Sequence, residues 1–231
     1  MDPDRRTVLK ALGAVGASGL VVADATAAAD APAAAAPPAA GGASSYVFFN
    51  SAESAWVEAA VSRIVPADEL SPSGFDLGIA TYIDRQLAGA YGQGAKMYLQ
   101  GPWPEGTPQQ GWQMRMAPAA CYRVAIPRID AHCHTTFGAT FSALDEANQD
   151  AVLAGLDNRS IDLVDLPSHQ FFKLFLTNVM EGLFGDPIYG GNRGKLGWKM
   201  VGFPGVYGNY VDVIDRYFDR PFDVAPLGIA D

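Results

Sequence analysis

The sequence predicts a mainly α fold: a single compact, loop-rich helical domain of about five helices, with a buried central helix near residues 168–184. Three observations lead there. Apolar residues recur at helical spacing in five windows, helix start and stop signals bracket those windows, and no alternating strand pattern of useful length competes. The composition, 49% hydrophobic and 18% charged, is that of an ordinary globular chain with room for one domain over residues 46–231.

The first helix starts where Asn50 is followed by Glu53, and Val57, Ala60, Val61 and Ile64 mark its apolar face until Pro66 stops it. A second is expected from about Phe75 to Leu87, with Leu77, Ala80, Ile83 and Leu87 on one stripe and Gly89 as its C-terminal cap. Residues 89–118, crowded with Gly, Pro and Gln around Trp103 and Trp112, form an ordered but irregular loop that must lie on something. A third helix runs from about Pro118 to His134, kinked by Pro127. Ser142-Ala-Leu-Asp145 introduces a fourth, to about Leu156, and Ser168 caps a fifth. In the fifth, Phe171, Phe172, Phe175, Leu176, Val179, Met180 and Leu183 cover so much of the circumference that burial nearly all round is expected. The last 45 or so residues read as turns and loops punctuated by Trp198, Phe203, Tyr207 and Tyr210.

Ahead of the domain, Asp4-Arg5-Arg6-Thr7-Val8-Leu9-Lys10 precedes a weakly apolar Ala/Gly/Val stretch from Ala11 to Val22 and small-residue cleavage triplets at Ala23–Ala27. Residues 1–28 resemble a twin-arginine signal peptide carried by Arg5 and Arg6; a short amphipathic or membrane-anchoring helix is the plainer reading. Residues 29–45, almost wholly Ala, Pro and Gly, have no face to bury and read as a disordered spacer. The expected destination is the periplasm, reached through the twin-arginine translocase. That route carries proteins already folded, often with a cofactor in place, so such a signal on a chain with no cofactor motif suggests that it serves a second protein as well.

The net charge of −9 excludes the basic footprint that nucleic-acid binding requires. No basic run beyond Lys10 could hold an anionic membrane, and no apolar stretch in the body is long enough to span one, so membrane association is expected only through a partner. The two cysteines, Cys121 and Cys133, are too few for a disulfide framework, and neither lies in a haem-attachment motif. A bridge between them suits an oxidising compartment. On one straight helix, however, twelve residues would hold them ~18 Å apart. An internal bridge therefore needs Pro127 to break the helix, and the alternatives are pairing with another chain or two free thiols.

His132-Cys133-His134 is the one cluster with metal-ligand residue types. On a helix its two imidazoles point about 200° apart, which opposes a shared ion, and a Cys133 nucleophile lacks a visible orienting group. The Gly185–Gly194 segment has neither the G-x-G-x-x-G order of a dinucleotide site nor a phosphate-loop lysine. Its glycines, with Tyr189, Asn192 and Arg193 expected to project outward, suit close contact with another protein. Packing against its own domain fits the composition equally well. Trp198 and Trp103 join these three as expected interface residues.

Arg63-Ile-Val-Pro-Ala-Asp68, Tyr82-Ile-Asp-Arg-Gln-Leu87, Tyr98-Leu-Gln-Gly-Pro-Trp103 and above all Glu181–Gly194 running into Gly197–Gly205 resemble the gluconate 2-dehydrogenase subunit 3 family over about residues 47–220. The resemblance implies a small accessory subunit with no cofactor in this chain. It places FAD and the substrate site in a large dehydrogenase subunit and haem c in a multihaem cytochrome c subunit, which receives the electrons. It further implies that the small subunit supplies the export signal and supports maturation of the flavoprotein. The competing classes are a small periplasmic enzyme using His132, Cys133 and His134, and a free-standing envelope binding domain.

Overall fold

The computed structural model describes residues 46–231 except 105 and 108. The expected export leader (1–28, with Arg5 and Arg6) and the expected spacer (29–45) lie outside the described residues. Five principal helices follow one another: α1 Ser51–Ile64, α2 Ile79–Ala88, α3 Pro118–Phe137, α4 Glu146–Asp157 and α5 Ser168–Phe184. Two short ones, α6 Leu196–Val201 and α7 Val211–Ile214, lie beyond them. Among the described residues the β pairing consists of one isolated bridge between Gly205 and Leu227, so the protein is mainly α, as its periodicity predicts.

The expected caps form at the start of α1 and the end of α2 and differ at the starts of α4 and α5. At α1 the Asn50 side chain accepts from the Ala52 and Glu53 N–H groups while Glu53 accepts from the Asn50 N–H at 3.0 Å, a reciprocal box. α2 starts later than expected, because Gly78 takes a left-handed conformation (φ 79°) that closes the preceding turn; Gly89 caps its C-terminus as expected, from extended backbone. α3 continues through Pro127 to Phe137 and stops at left-handed Gly138. The cap of α4 is Asp145, which accepts from the Asn148 N–H at 2.8 Å, whereas Ser142 sits one turn earlier in a 3-10 turn. Ser168 does not cap α5; it is the first helical residue, after Pro167.

α5 is the central helix, touching all four of the others. Its buried side carries Phe171, Leu174, Phe175, Asn178, Val179 and Leu183, while Lys173, Thr177, Met180 and Glu181 form a solvent strip. Burial is therefore wide but not all round, as the interspersed polar residues require. Trp56 of α1 packs against Phe141, Phe171 and Phe175 with ring centroids 5.2–5.9 Å apart, and Tyr122 of α3 meets Phe171 edge-on at 5.3 Å. Each such buried aromatic contributes ~2–3 kcal/mol from area alone.

One polar thread crosses this core. The Tyr122 hydroxyl donates to Asn178 Oδ1 at 3.0 Å, and Asn178 Nδ2 donates to the Tyr91 hydroxyl at 2.9 Å and to Glu181 at 3.2 Å. Every member is partnered, the condition under which buried polar groups specify packing rather than weaken it. Burial holds the Tyr122 hydroxyl well above its ordinary pKa, so it stays a donor.

The chain enters the domain through a stapled segment. Asp84, buried on α2, accepts backbone N–H groups from Val47, Phe48 and Phe49 at 2.8–2.9 Å. Arg123 of α3 lies over the Phe48 ring, 4.0 Å from its centroid, and pairs with Glu53. A segment with no regular structure of its own is thus held by α1, α2 and α3 together.

Candidate partner interface

The glycine-rich segment after α5 folds back onto its own domain before it offers any surface. A Cβ at Gly191 would collide with the Gly182 carbonyl, and one at Gly197 with the Leu183 carbonyl. Glycine is required at both places so that the loop backbone can lie directly on α5. Asn192 locks the turn: its side chain is fully buried, with Nδ2 donating to the Gly185 carbonyl at 2.9 Å and Oδ1 accepting from the Gly197 N–H at 2.8 Å. Its left-handed backbone, φ 46°, is one that Asn tolerates better than most residues.

The structure therefore places two of the five expected interface residues inside the fold. Asn192 does not project outward but braces the loop from within. Trp198 is buried as well, its indole N–H donating to the Phe184 carbonyl at 2.6 Å and its ring meeting Phe203 edge-on at 5.3 Å. An indole that fills a pocket and satisfies its own donor is an anchor of this fold. Arg193 is exposed but lies across Gly78, and its backbone N–H donates to the Leu77 carbonyl at 3.1 Å, so it bridges the loop to the start of α2. Tyr189, 49% exposed, and Trp103, 38% exposed with the Arg115 guanidinium 5.2 Å from its ring centroid, do face solvent.

Between Ile188 and Val206 the structure exposes apolar side chains that periodicity did not reveal. Ile188, Met200, Val201, Phe203 and Val206 are all exposed, and Phe203 also lines a groove of about 470 Å³ together with Trp198, Lys199, Gly202, Pro221 and Phe222 among others. The signal available in the sequence was a run of large apolar residues too short and irregular for an inward-facing helix. Exposed apolar groups gathered this way mark interaction surfaces. Among the described residues, no helix is long and apolar enough to cross a membrane.

The thiols and imidazoles do not assemble into a centre. Cys121 and Cys133 are free and buried, and they lie on one continuous helix, at ~18 Å from the helical rise; of the alternatives the sequence left open, the internal bridge is not formed. Burial pushes the Cys121 thiol up to about 12 and, with help from Asp130, the Cys133 thiol up to about 11, the opposite of what a nucleophile needs. Cys133 points into the core, whereas His134 is exposed and His132 contacts Thr136 at 3.5 Å. Among the described residues no three His, Cys, Asp or Glu side chains are grouped to hold a metal ion. Iodoacetamide at about pH 8 is expected to leave both cysteines unmodified in the folded chain and to alkylate both after denaturation, read by mass spectrometry. Rapid native labelling of Cys133 would restore the nucleophile reading.

Residues 51–205 match the model of the gluconate 2-dehydrogenase subunit 3 family. No curated protein and no solved structure matches the chain. The matched span runs from the first residue of α1 to the Gly205 end of the glycine-rich segment, taking in all five principal helices and the loop locked by Asn192. The chain belongs to the gluconate 2-dehydrogenase subunit 3 family.

Proposed function

We propose that the chain is the non-catalytic escort subunit of a periplasmic, FAD-dependent dehydrogenase complex of the gluconate 2-dehydrogenase kind. It supplies the twin-arginine signal through Arg5 and Arg6 and supports maturation of the flavoprotein large subunit. FAD and the substrate site belong to that subunit, and electrons pass on to a multihaem cytochrome c subunit, through which the complex sits at the inner membrane. The observation that carries the reading is the family match across the folded core, since the family is by name a dehydrogenase subunit. The geometry is consistent with it. Gly191 and Gly197, where a cofactor loop would open toward phosphate, lie against carbonyls of α5, and the side chains left facing out are those of a docking face.

The reading is tested by recovering tagged chain from the periplasm and recording an absorption spectrum. Flavin is expected with a co-purifying large subunit, and none with this chain alone; flavin bound to the isolated chain, or a pure chain without a flavoprotein, overturns it. In the same assay Tyr189→Ala is expected to weaken association about thirtyfold, the ~2 kcal/mol typical of an aromatic interface anchor. The melting temperature of the free domain should be unaltered, because Tyr189 is half exposed. Arg193→Ala should lower that temperature, because Arg193 packs on Gly78.

A further inference from the structure

Beyond Gly205 the chain makes a closed excursion that the family match does not include. Its neck is the Gly205–Leu227 bridge, where the Val206 N–H donates to the Leu227 carbonyl at 2.8 Å and the Leu227 N–H to the Pro204 carbonyl at 3.1 Å. Its base is pinned again by Lys195, donating to the Pro226 carbonyl at 3.0 Å, and by Asp186, accepting from the Ile229 N–H at 2.8 Å. Within the excursion Tyr207 stacks on Tyr210 at 5.5 Å, and Phe222 meets Tyr217 at 4.8 Å and Tyr207 at 5.9 Å. None of these rings belongs to the main core. The arm is therefore a self-packed excursion carried on a fixed base.

A loop with its own small core has no need to expose large apolar groups, yet Val211, Ile214 and Phe218 are 72%, 58% and 73% exposed. They stand among exposed charges in which Asp215, Asp219 and Asp223 outnumber Arg216 and Arg220. We propose that this arm is a clasp that docks Val211, Ile214 and Phe218 into an apolar, basic-rimmed groove on the flavoprotein large subunit. The proposal rests on the escort reading above and adds where the partner is gripped. Charge decides the occupant. The acidic rim repels an anionic bilayer and a second copy of a chain that is itself at −9, and it attracts a lysine- or arginine-lined lip. Lying outside the family-matched span, the clasp adapts a shared helical body to its own large subunit.

The test is co-expression of the tagged full chain with the flavoprotein subunit, reading flavin absorbance per captured chain. Ile214→Ser with Phe218→Ser is expected to lower recovery at least ~10-fold, as loss of interface anchors does, with an unaltered melting temperature. Asp215→Lys with Asp223→Lys changes only exposed side chains, so it remains informative if the first pair disturbs the arm. It should lower recovery too, and added salt should weaken the wild-type complex. Wild-type recovery by both variants overturns the clasp alone, whereas absence of flavin from the wild-type capture overturns the escort reading and the clasp with it. The clasp also fails if the serine variant instead abolishes a wild-type dimer, seen by light scattering, or sedimentation with phosphatidylglycerol vesicles.

Discussion

Replacing Asn192 with leucine is expected to destabilise the domain by about 3–5 kcal/mol, lowering its melting temperature by roughly 10 °C. The side chain is fully buried and satisfies two backbone groups, the Gly185 carbonyl and the Gly197 N–H. Leucine matches its size but offers neither partner, leaving a buried donor and a buried acceptor at about 1–3 kcal/mol each. It must also adopt the left-handed backbone at φ 46°, which costs a branched side chain a further ~1 kcal/mol. The damage should spread along the loop, since Gly191 and Gly197 hold their places against α5 only while the turn between them is closed. Chemical denaturation of the purified domain measures the effect. A loss below about 1 kcal/mol, within the range of surface substitutions, would mean that the glycine contacts alone secure the loop.

Much of the fold was legible because helical periodicity records a buried face directly. Val57, Ala60 and Val61, then Leu77, Ala80, Ile83 and Leu87, occupy the core as their spacing requires. Helix starts were less legible, because Ser, Asp and Pro compete for the same positions. Ser142 and Ser168 both have cap chemistry, yet Asp145 and Pro167 hold the boundaries. The polar thread through Asn178 left no trace in a hydrophobic pattern, since it joins one turn of α5 to Tyr91 and Tyr122, both distant in the chain. Within the candidate interface, the glycines do mark close backbone approach, whereas Asn192, expected to project outward, is buried. Composition states that a backbone comes close to something; it does not say whether that something is another chain or α5. Asn192 and Trp198 carry the same ambiguity, which burial alone resolves.

The largest effect outside folding is expected from Arg5→Lys with Arg6→Lys. The twin-arginine pair in the first residues is proposed to be the one address for two proteins: this chain, which carries it, and a flavoprotein that acquires FAD and folds before transport. Lysine keeps the positive charge of each side chain but loses the planar, multiply donating guanidinium that a binding site can recognise in a fixed orientation. Charge conservation therefore does not rescue the signal. The body of the chain, from the Asp84-stapled entry to the arm, is untouched by the substitutions and should fold and bind as before. The complex would form in the cytoplasm and remain there. Fractionating cells that express the double variant, and assaying acceptor-linked dehydrogenase activity with flavoprotein immunoblots in each fraction, tests this most directly. The escort account predicts that periplasmic activity falls to background while the flavoprotein accumulates in the cytoplasm; normal periplasmic activity in the double variant would contradict it.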